Sequence, residues 1–466
     1  MPESLRSIMR SYQCYGHKWM RTLAAGGFGG ILADDMGLGK TLQMISVLLA
    51  VKENGTQGTS IIICPSSLVY NWIAELERFA PALHACAVAG TPAERAALIA
   101  QASGWDVLVT SYDLLKRDIH LYEETPFLYE VLDEAQYIKN RTTDAAKAVK
   151  LLRSMHRFAL TGTPIENRLS ELWSIFDFLM PGFLYDYPTF RRELDVPITH
   201  DRNPQAIERL RRMTAPFILR RLKTDVLQDL PEKLEEVRYA RFESDQQHVY
   251  DGEVIRLREL LQGADPQDKI RVLAELTRIR LICCDPGLVF EGYQGGSAKR
   301  EACLELIRSA MEGGHRILVF SSFTSMLALL EQDLTAAGIG YYKIIGDTPK
   351  RERLRLVNLF NEGDVPVFLI SIRTGGNGLN LTGADVVIHY DPWWSAAVEE
   401  QASDRAHRMG QKRTVTVYRL IASGTLEERI RQLQERKLSM AQPFLGGESE
   451  LFSSLTREEL LGILGG

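Results

Sequence analysis

The chain has 466 residues, 45% hydrophobic and 25% charged, with a formal net charge of −5. That length exceeds what one hydrophobic core serves and suits two or three domains, while no apolar run approaches the roughly 18 residues a membrane helix needs. A chain that is acidic overall does not bind nucleic acid through its whole surface, so any such site has to be a local basic cleft.

Residues 1–9 contain no apolar signal segment, which predicts a cytoplasmic protein with no membrane partner. From residue 28 to about 163, short apolar runs alternate with helical patterns, as in a parallel sheet covered by helices. Strands are expected at 30–33, 60–64, 106–110, 129–132 and 158–160, with helices such as 41–54 and 68–79 between them. Across 170–296 the pattern becomes longer, more helical and more charged, broken by Pro181, Pro197, Pro204, Pro216, Pro231 and Pro266. It predicts helical insertions and the crossing to a second domain, with a buried helix where Trp173, Phe176 and Phe178 recur. A second α/β series follows from about residue 297, with strands at 316–320, 341–344, 367–371, 386–390 and 415–419. Residues 440–466 read as a small terminal helix pair.

The expected division is therefore a first lobe at 1–225 with a helical insertion near 170–220, a second lobe at 226–440 with an insertion near 244–295, and a tail at 441–466. Cys14, Cys64, Cys86, Cys283, Cys284 and Cys303 include no C-x-x-C pair, so they read as buried free thiols rather than a structural metal site.

The first strand runs into Asp34, Asp35, Met36, Gly37, Leu38, Gly39, Lys40 and Thr41, and then a helix. Glycines at such a junction let backbone N–H groups approach phosphate oxygens, and the helix N-terminus adds partial positive charge. Lys40 is placed to reach the β and γ phosphates of ATP, and the Thr41 hydroxyl to hold Mg2+. Asp34 stands where the strict phosphate-loop pattern has glycine. Further on, the run Val131, Leu132 ends in Asp133, Glu134, Ala135 and Gln136. At the carboxyl edge of a sheet, Asp133 suits the metal and Glu134 the attacking water; away from a phosphate loop the same pair is a solvated turn.

A hydrolytic site also needs positive charge for its transition state, and arginines from a second lobe supply it in many such enzymes, worth roughly a thousandfold to a hundred-thousandfold in rate. The helix expected after Trp394 carries Gln401, Arg405 and Arg408, the two arginines three apart and sharing one face. In isolation such arginines are ordinary solvated residues.

Taken in order, YQCYGHKW, ILADDMGLGKT, IIICPSSLVYNW, VLVTSYDLL, DEAQYIKN, ALTGTPIENRLSELWSIFDFLMPG, RILVFSSF, GGNGLNLTGADVVIHYDPWW and EQASDRAHRMGQ resemble the Swi/Snf family of DNA translocases in helicase superfamily II, particularly its bacterial members. The resemblance runs from about residue 11 to 436 and implies two RecA-like lobes with parallel sheets flanked by helices. It implies that Gln13 recognises adenine, that Asp35, Gly37, Leu38, Gly39, Thr41 and Gln401 line the nucleotide, and that Gln136, Thr161, Gly162 and Thr163 couple hydrolysis to lobe movement. Pro65, Ser66, Thr110, Ser111 and Tyr112 from the first lobe, with Ser321, Arg373, Thr374, Gly375 and Trp393 from the second, are implied to touch DNA. Hydroxyls and loop N–H groups suit phosphates, though such loops are also ordinary strand-end turns; Trp394 is similar, with Trp393, to the family's paired tryptophans near the DNA, and half-buried packing is nearly as good a reading for it. Arg220, Arg221, Lys223, Asp225 and residues 230–233 resemble the family's inter-lobe brace.

Asp35 replaces a commoner glutamate, Gln136 a histidine and Arg373 a lysine, each keeping charge or hydrogen-bonding capacity; Ser395 and Ala396 replace an asparagine and a proline. The implied function is a DNA-dependent ATPase that moves along double-stranded DNA and displaces bound proteins, RNA polymerase among the candidates, as a monomeric motor at the nucleoid. The alternatives are a strand-separating helicase of the same superfamily, a nucleic-acid scaffold with an inactive nucleotide site, and a small-molecule kinase.

Overall fold

The computed structural model describes residues 1–162, 169–226, 231–263, 269–375 and 379–439, and the chain divides into two compact units, Met1–Asp229 and Leu230–Gly466. In the first unit the strands β1 (Gly30–Leu32), β2 (Ser60–Cys64), β3 (Ala85–Ala87), β4 (Val107–Ser111), β5 (Pro126–Asp133), β6 (Arg153–Leu160) and β7 (Ile218–Leu219) form one sheet. Their order is β3-β4-β2-β5-β6-β1-β7, and every pairing is parallel.

The apolar runs have a plain cause, because helices cover both faces. Along β2, Ile61 and Ile63 face a core shared with Trp173, Phe176 and Phe178 of the helix Leu169–Leu179. Ile62 and Cys64 face the opposite core, with Leu48 of the helix Lys40–Glu53 and Trp72 of the helix Val69–Phe79. The buried aromatic helix expected near residue 173 is therefore present.

The second unit repeats the plan. Its strands β8 (Lys233–Ala240), β9 (Ile317–Ser321), β10 (Tyr341–Ile344), β11 (Val367–Ser371), β12 (Val386–His389) and β13 (Val415–Ala422) are ordered β10-β11-β9-β12-β13-β8, again parallel. Leu318 and Phe320 point to one face and Ile317 and Val319 to the other, each meeting a layer of helices. A satellite core joins the helices Ser244–Gly263, Lys269–Cys284 and Leu426–Ser439 through Leu257, Leu276, Ile279, Leu426 and Ile430, with Trp394 packed among them. The α/β class expected from the alternating patterns is thus observed in both units.

Three strands escape the sequence patterns. β3 and β7 have three and two residues, too few for a periodicity to register. β8, Lys-Leu-Glu-Glu-Val-Arg-Tyr-Ala, lies in the stretch expected to be helical, and its charges reflect its place at the sheet edge, where exposed charge blocks further pairing. Five of the six cysteines are buried and Cys14 is half-buried, all as free thiols. No helix among the described residues is long and apolar enough to cross a membrane. The terminal pair expected at 440–466 lies outside the described residues, as does Thr163.

Candidate nucleotide site and associated loops

Three neighbouring strands of the first unit deliver the chemistry to one edge of the sheet. Leu32 of β1 lies across from Leu160 of β6, and Leu160 lies across from Asp133 of β5. The chain leaving β1 turns through Gly37 (φ 83°) and Gly39 (φ 74°), a left-handed backbone that glycine adopts without strain. Gly39 caps the helix Lys40–Glu53, whose first N–H groups have no carbonyl within the helix to bond. Lys40 Nζ donates to the Asp34 carbonyl at 2.6 Å and to that of Asp35 at 3.3 Å. Burial depresses the Lys40 pKa, opposed by the carboxylates of Glu134, Asp34, Asp133 and Asp35.

Asp34 itself is fully buried and is not free for a ligand. Arg221 clamps it, with Nε 2.8 Å from Oδ1 and Nη2 bonded to Oδ2, and Gln43 Nε2 donates to Oδ2 at 3.0 Å. Asp35 accepts the Lys223 amide at 3.0 Å. The Leu38 carbonyl receives Tyr12 Oη at 3.2 Å and Gln13 Nε2 at 3.0 Å, while Gln13 Oε1 accepts the Arg10 amide at 2.9 Å. Gln13 therefore caps its own helix, Ser11–Ala25, and ties it to the glycine loop. On that helix His17 Nδ1 lies 2.9 Å from Ser46 Oγ, and burial, reinforced by nearby positive charge, lowers its pKa to about 4.

At the end of β5, Asp133 Oδ2 accepts the Trp72 indole N–H at 2.8 Å and Oδ1 accepts the Glu134 amide at 2.9 Å. Burial, with the adjacent Glu134 charge, pushes the Asp133 carboxyl up to about 7. Two carboxylates crowded in this way fit a hard cation, since Mg2+ is commonly held by one or two carboxylates together with substrate phosphates. Asp133 and the Thr41 hydroxyl are the residues that would hold it. Glu134 sits at φ 51°, an uncommon conformation for a residue with a side chain. Gln136 Nε2 donates to Glu134 Oε2 at 2.7 Å, and Thr161 Oγ1 donates to Gln136 Oε1 at 3.0 Å. A continuous polar chain thus links Glu134 to the residue that follows β6. Gly162 comes next, close to Met36 and Lys40.

The polar loops expected to meet DNA turn much of their side-chain chemistry inward. Thr110, Ser111 and Tyr112 are buried. Ser111 Oγ accepts the Leu114 amide, and Tyr112 Oη donates to the Asp133 carbonyl at 2.9 Å while its ring stacks on half-exposed Tyr137 at 5.0 Å. Pro65 is buried and Ser66 half-buried, in the turn that follows β2.

In the second unit, Ser321 Oγ donates to Asp391 Oδ1 at 2.6 Å, and Asp391 also accepts the Ser322 amide. Arg280 donates to the Asp391 carboxylate and the Pro392 carbonyl, and lies between the rings of Phe323 and Trp394. Thr374 and Trp393 are buried, and the Trp393 amide donates to Glu399 Oε1 at 2.7 Å. Ile372–Gly375 is a single helical turn that includes Arg373, whose side chain lies outside the described residues.

The helix expected to carry both arginines is shorter than its pattern suggests. The helix bearing Gln401 is Ala396–Ser403 and ends before the arginines. Arg405 N–H bonds to the Ala402 carbonyl and Ala406 N–H to that of Ser403, three-residue closures that tighten the last turn into a loop ending at Gly410 (φ 100°). Arg405 and Arg408 are thus presented by a turn and do not share a helix face. Arg405 is buried, its carbonyl accepting the Leu381 amide, and half-buried Arg408 donates to the Leu379 carbonyl at 3.4 Å.

Trp72, Gln43 and Asp391 were not expected at these sites, nor was the pairing of Arg221 with Asp34. Trp72 closes the quoted segment IIICPSSLVYNW, and its nitrogen, which has to find an acceptor when buried, is the signal that could have marked it.

Comparison with known families matches residues 12–288 to the SNF2-related domain and residues 298–410 to the helicase conserved C-terminal domain. A Mycoplasma pneumoniae protein named as an uncharacterized ATP-dependent helicase is 40% identical over 97% of this chain and 44% of its own length. The mouse SWI/SNF-related matrix-associated actin-dependent regulator of chromatin subfamily A member 1 is 36% identical over 93% of this chain and 43% of its own. The chain spans a little under half the length of these relatives. Among solved structures, the Sulfolobus solfataricus SWI2/SNF2 ATPase core in complex with dsDNA is similar at 37% identity, covering 98% of this chain and 97% of that one with a TM-score of 0.49. With the first domain match alone spanning more than half of the residues, the chain belongs to the SNF2-related, or Swi/Snf, family.

Proposed function

We propose that this chain is a DNA-dependent ATPase that moves along double-stranded DNA and remodels or displaces proteins bound there, working as a monomeric motor at the nucleoid. The observation that carries the reading is the chain Glu134–Gln136–Thr161 beside Lys40, because it joins a hydrolytic carboxylate to the end of a neighbouring strand. Such a link is of use to a motor and superfluous in a protein that only stores nucleotide.

In this reading Lys40 exchanges its bonds to the Asp34 and Asp35 carbonyls for the β and γ phosphates of ATP, and the glycine-loop amides take the remaining oxygens. Asp133 and Thr41 hold Mg2+, which supplies charge neutralisation at the phosphates when bound. Glu134 orients the attacking water and accepts its proton. Arg405 and Arg408 bring guanidinium charge to the γ-phosphate, with Gln401 among the nucleotide contacts. Gln13 contributes from the adenine side, its amide already fixed between Arg10 and Leu38. Thr161, Gly162 and Thr163 then pass the loss of γ-phosphate to the rest of the lobe.

The loops at Pro65 and Ser66, at 110–112, at Ser321 and at 373–375, with Trp393, grip the DNA backbone. Since several of these side chains are spent inside the protein, backbone N–H groups carry much of the grip. That favours weak sequence preference and a steep salt dependence. The relatives named for chromatin support DNA-bound proteins as the targets.

The test is the ATPase rate measured in parallel without nucleic acid and with duplex DNA, single-stranded DNA and RNA. Stimulation by duplex DNA supports the reading, and indifference to all three removes it. Triplex displacement without opening of a forked duplex marks a translocase; fork opening would favour the strand-separating helicase that several relatives' names suggest. Lys40→Ala should abolish hydrolysis and keep DNA binding.

A further inference from the structure

The chain that continues from β7 toward Leu230 is fastened to the phosphate loop by successive bonds. Ala33 N–H donates to the Leu219 carbonyl at 2.7 Å, Asp35 N–H to that of Arg221 at 3.0 Å, and Lys223 N–H to Asp35 Oδ2 at 3.0 Å. Between these, the Arg221 guanidinium holds both oxygens of Asp34, a carboxylate with no solvent exposure. Its Nη2 also donates to Gln43 Oε1 at 2.8 Å, its Nη1 to the Tyr12 carbonyl, and it lies over the Tyr12 ring. A buried carboxylate with a bidentate guanidinium is a rigid joint, because removing either member strands the other's charge away from water.

The joint sits where nucleotide has to act. Lys40 rests on the carbonyls of Asp34 and Asp35, the two residues whose side chains and amide hold this segment. When Lys40 leaves them for a phosphate, residues 34 and 35 lose those two bonds, and the bonds to 219–223 are what hold them in place.

We infer that residues 219–223 are a strap belonging to the nucleotide site, in which Arg221 is a positioning residue that sets the phosphate loop through Asp34. This rests on the assignment of the Lys40 loop to a triphosphate.

The experiment uses the full chain. Arg221→Gln should raise KM for ATP at least about tenfold while kcat at saturating ATP changes less than about threefold, the split expected when a group organises binding and leaves the chemical step alone. Asp34→Asn should do the same, and the double variant should be no worse than either single one, because one joint is lost in each case. ATPγS with Mg2+ should slow hydrogen exchange in the peptide 219–226 of the native chain and fail to do so in Arg221→Gln. If Arg221→Gln does not fold, Gly16→Ala replaces it. A Cβ at residue 16 would collide with Gln43 Oε1 and lie 3.1 Å from Arg221 Nη2, disturbing the joint from the opposite side. Native KM in a folded strap variant, additive losses in the double variant, or exchange at 219–226 indifferent to ATPγS would overturn the strap. Lys40→Ala separates the two levels: if it retains full ATPase activity, the nucleotide assignment fails and the strap with it, whereas an inactive Lys40→Ala beside an unaffected Arg221→Gln removes the strap alone.

Discussion

Trp72 donates its indole N–H to Oδ2 of Asp133 at 2.8 Å, across 61 positions of sequence. Both residues are buried, so the bond holds the carboxylate proposed for Mg2+ in one orientation. Trp72→Phe keeps most of the ring volume and removes the donor. We expect a folded protein destabilised by about 1–3 kcal/mol, the range for stranding one buried polar partner. Its ATPase activity should fall at least tenfold and recover in part with raised Mg2+, on the order expected for loss of a partner that orients a metal ligand. Denaturant unfolding and an Mg2+ titration of the rate check both; an unchanged Mg2+ dependence would detach Trp72 from the metal site.

The chain Glu134–Gln136–Thr161 makes a separate prediction. Gln136→Leu removes both of the bonds at 2.7 and 3.0 Å while preserving the shape of the side chain. Nucleotide affinity should stay within about threefold, and DNA-stimulated turnover should drop by one to two orders of magnitude, as for an interaction that matters to the chemical step. Equilibrium binding of a labelled nucleotide beside the stimulated rate distinguishes this from damage to the pocket.

Much of this site is legible in the residues themselves, for physical reasons that also set the limit. Gly37, Gly39, Lys40 and Thr41 lie together at one strand-to-helix junction, so their geometry is local and their pattern betrays it. Asp133 and Glu134 close an apolar run for the same reason. Arg221 meets Asp34 across 187 positions, and no periodicity records a contact of that kind. The edge strand β8 is hidden by the charges that keep it from aggregating. The turn that carries Arg405 and Arg408 reads as helix because no residue before Gly410 breaks the pattern; the break comes from tight i to i−3 closure.

His17 ties stability to pH. Its imidazole is buried against Ser46, and its pKa falls from the ordinary 6.5 to about 4 because burial, with nearby cations, disfavours the charged form. In the unfolded chain it protonates near 6.5, so its contribution is fully present above that pH and is lost as pH falls through 4. The loss amounts to roughly 3 kcal/mol at most. His17→Gln should flatten the fall in unfolding free energy between these two values, measured by urea denaturation at a series of pH values. An identical pH profile would show that the imidazole titrates in the native protein as it does in the unfolded chain.

The second unit contains a fully buried ion pair, Lys299 Nζ lying 2.7 and 2.8 Å from the two Glu427 carboxylate oxygens beneath the Tyr390 ring. Lys299→Met should cost about 3–5 kcal/mol, because it leaves a carboxylate buried without its cation. Adding Glu427→Gln removes that charge and keeps an acceptor for the Ala422 amide, now bonded to Oε2 at 2.9 Å. The double variant should therefore regain most of the loss. Thermal and denaturant unfolding of the three proteins give the comparison, and a double variant as weak as Lys299→Met would mean that the pair's attraction exceeds its desolvation cost.

Of the two arginines proposed for the γ-phosphate, Arg408 offers the cleaner test. Arg405 is buried, so shortening its side chain disturbs packing as well as charge. Arg408 is half-buried, and its bond to the Leu379 carbonyl, at 3.4 Å, is long. A guanidinium that meets the γ-phosphate only as charge develops contributes little to ground-state binding and much to the barrier. Arg408→Ala should accordingly bind ATP within about threefold of the native protein and turn it over about a thousandfold more slowly, the scale of an arginine finger. Arg408→Lys should recover little, because a point charge cannot reproduce the planar fork. Single-turnover hydrolysis at saturating DNA separates chemistry from product release; native rates there would leave Arg408 without a part in the reaction.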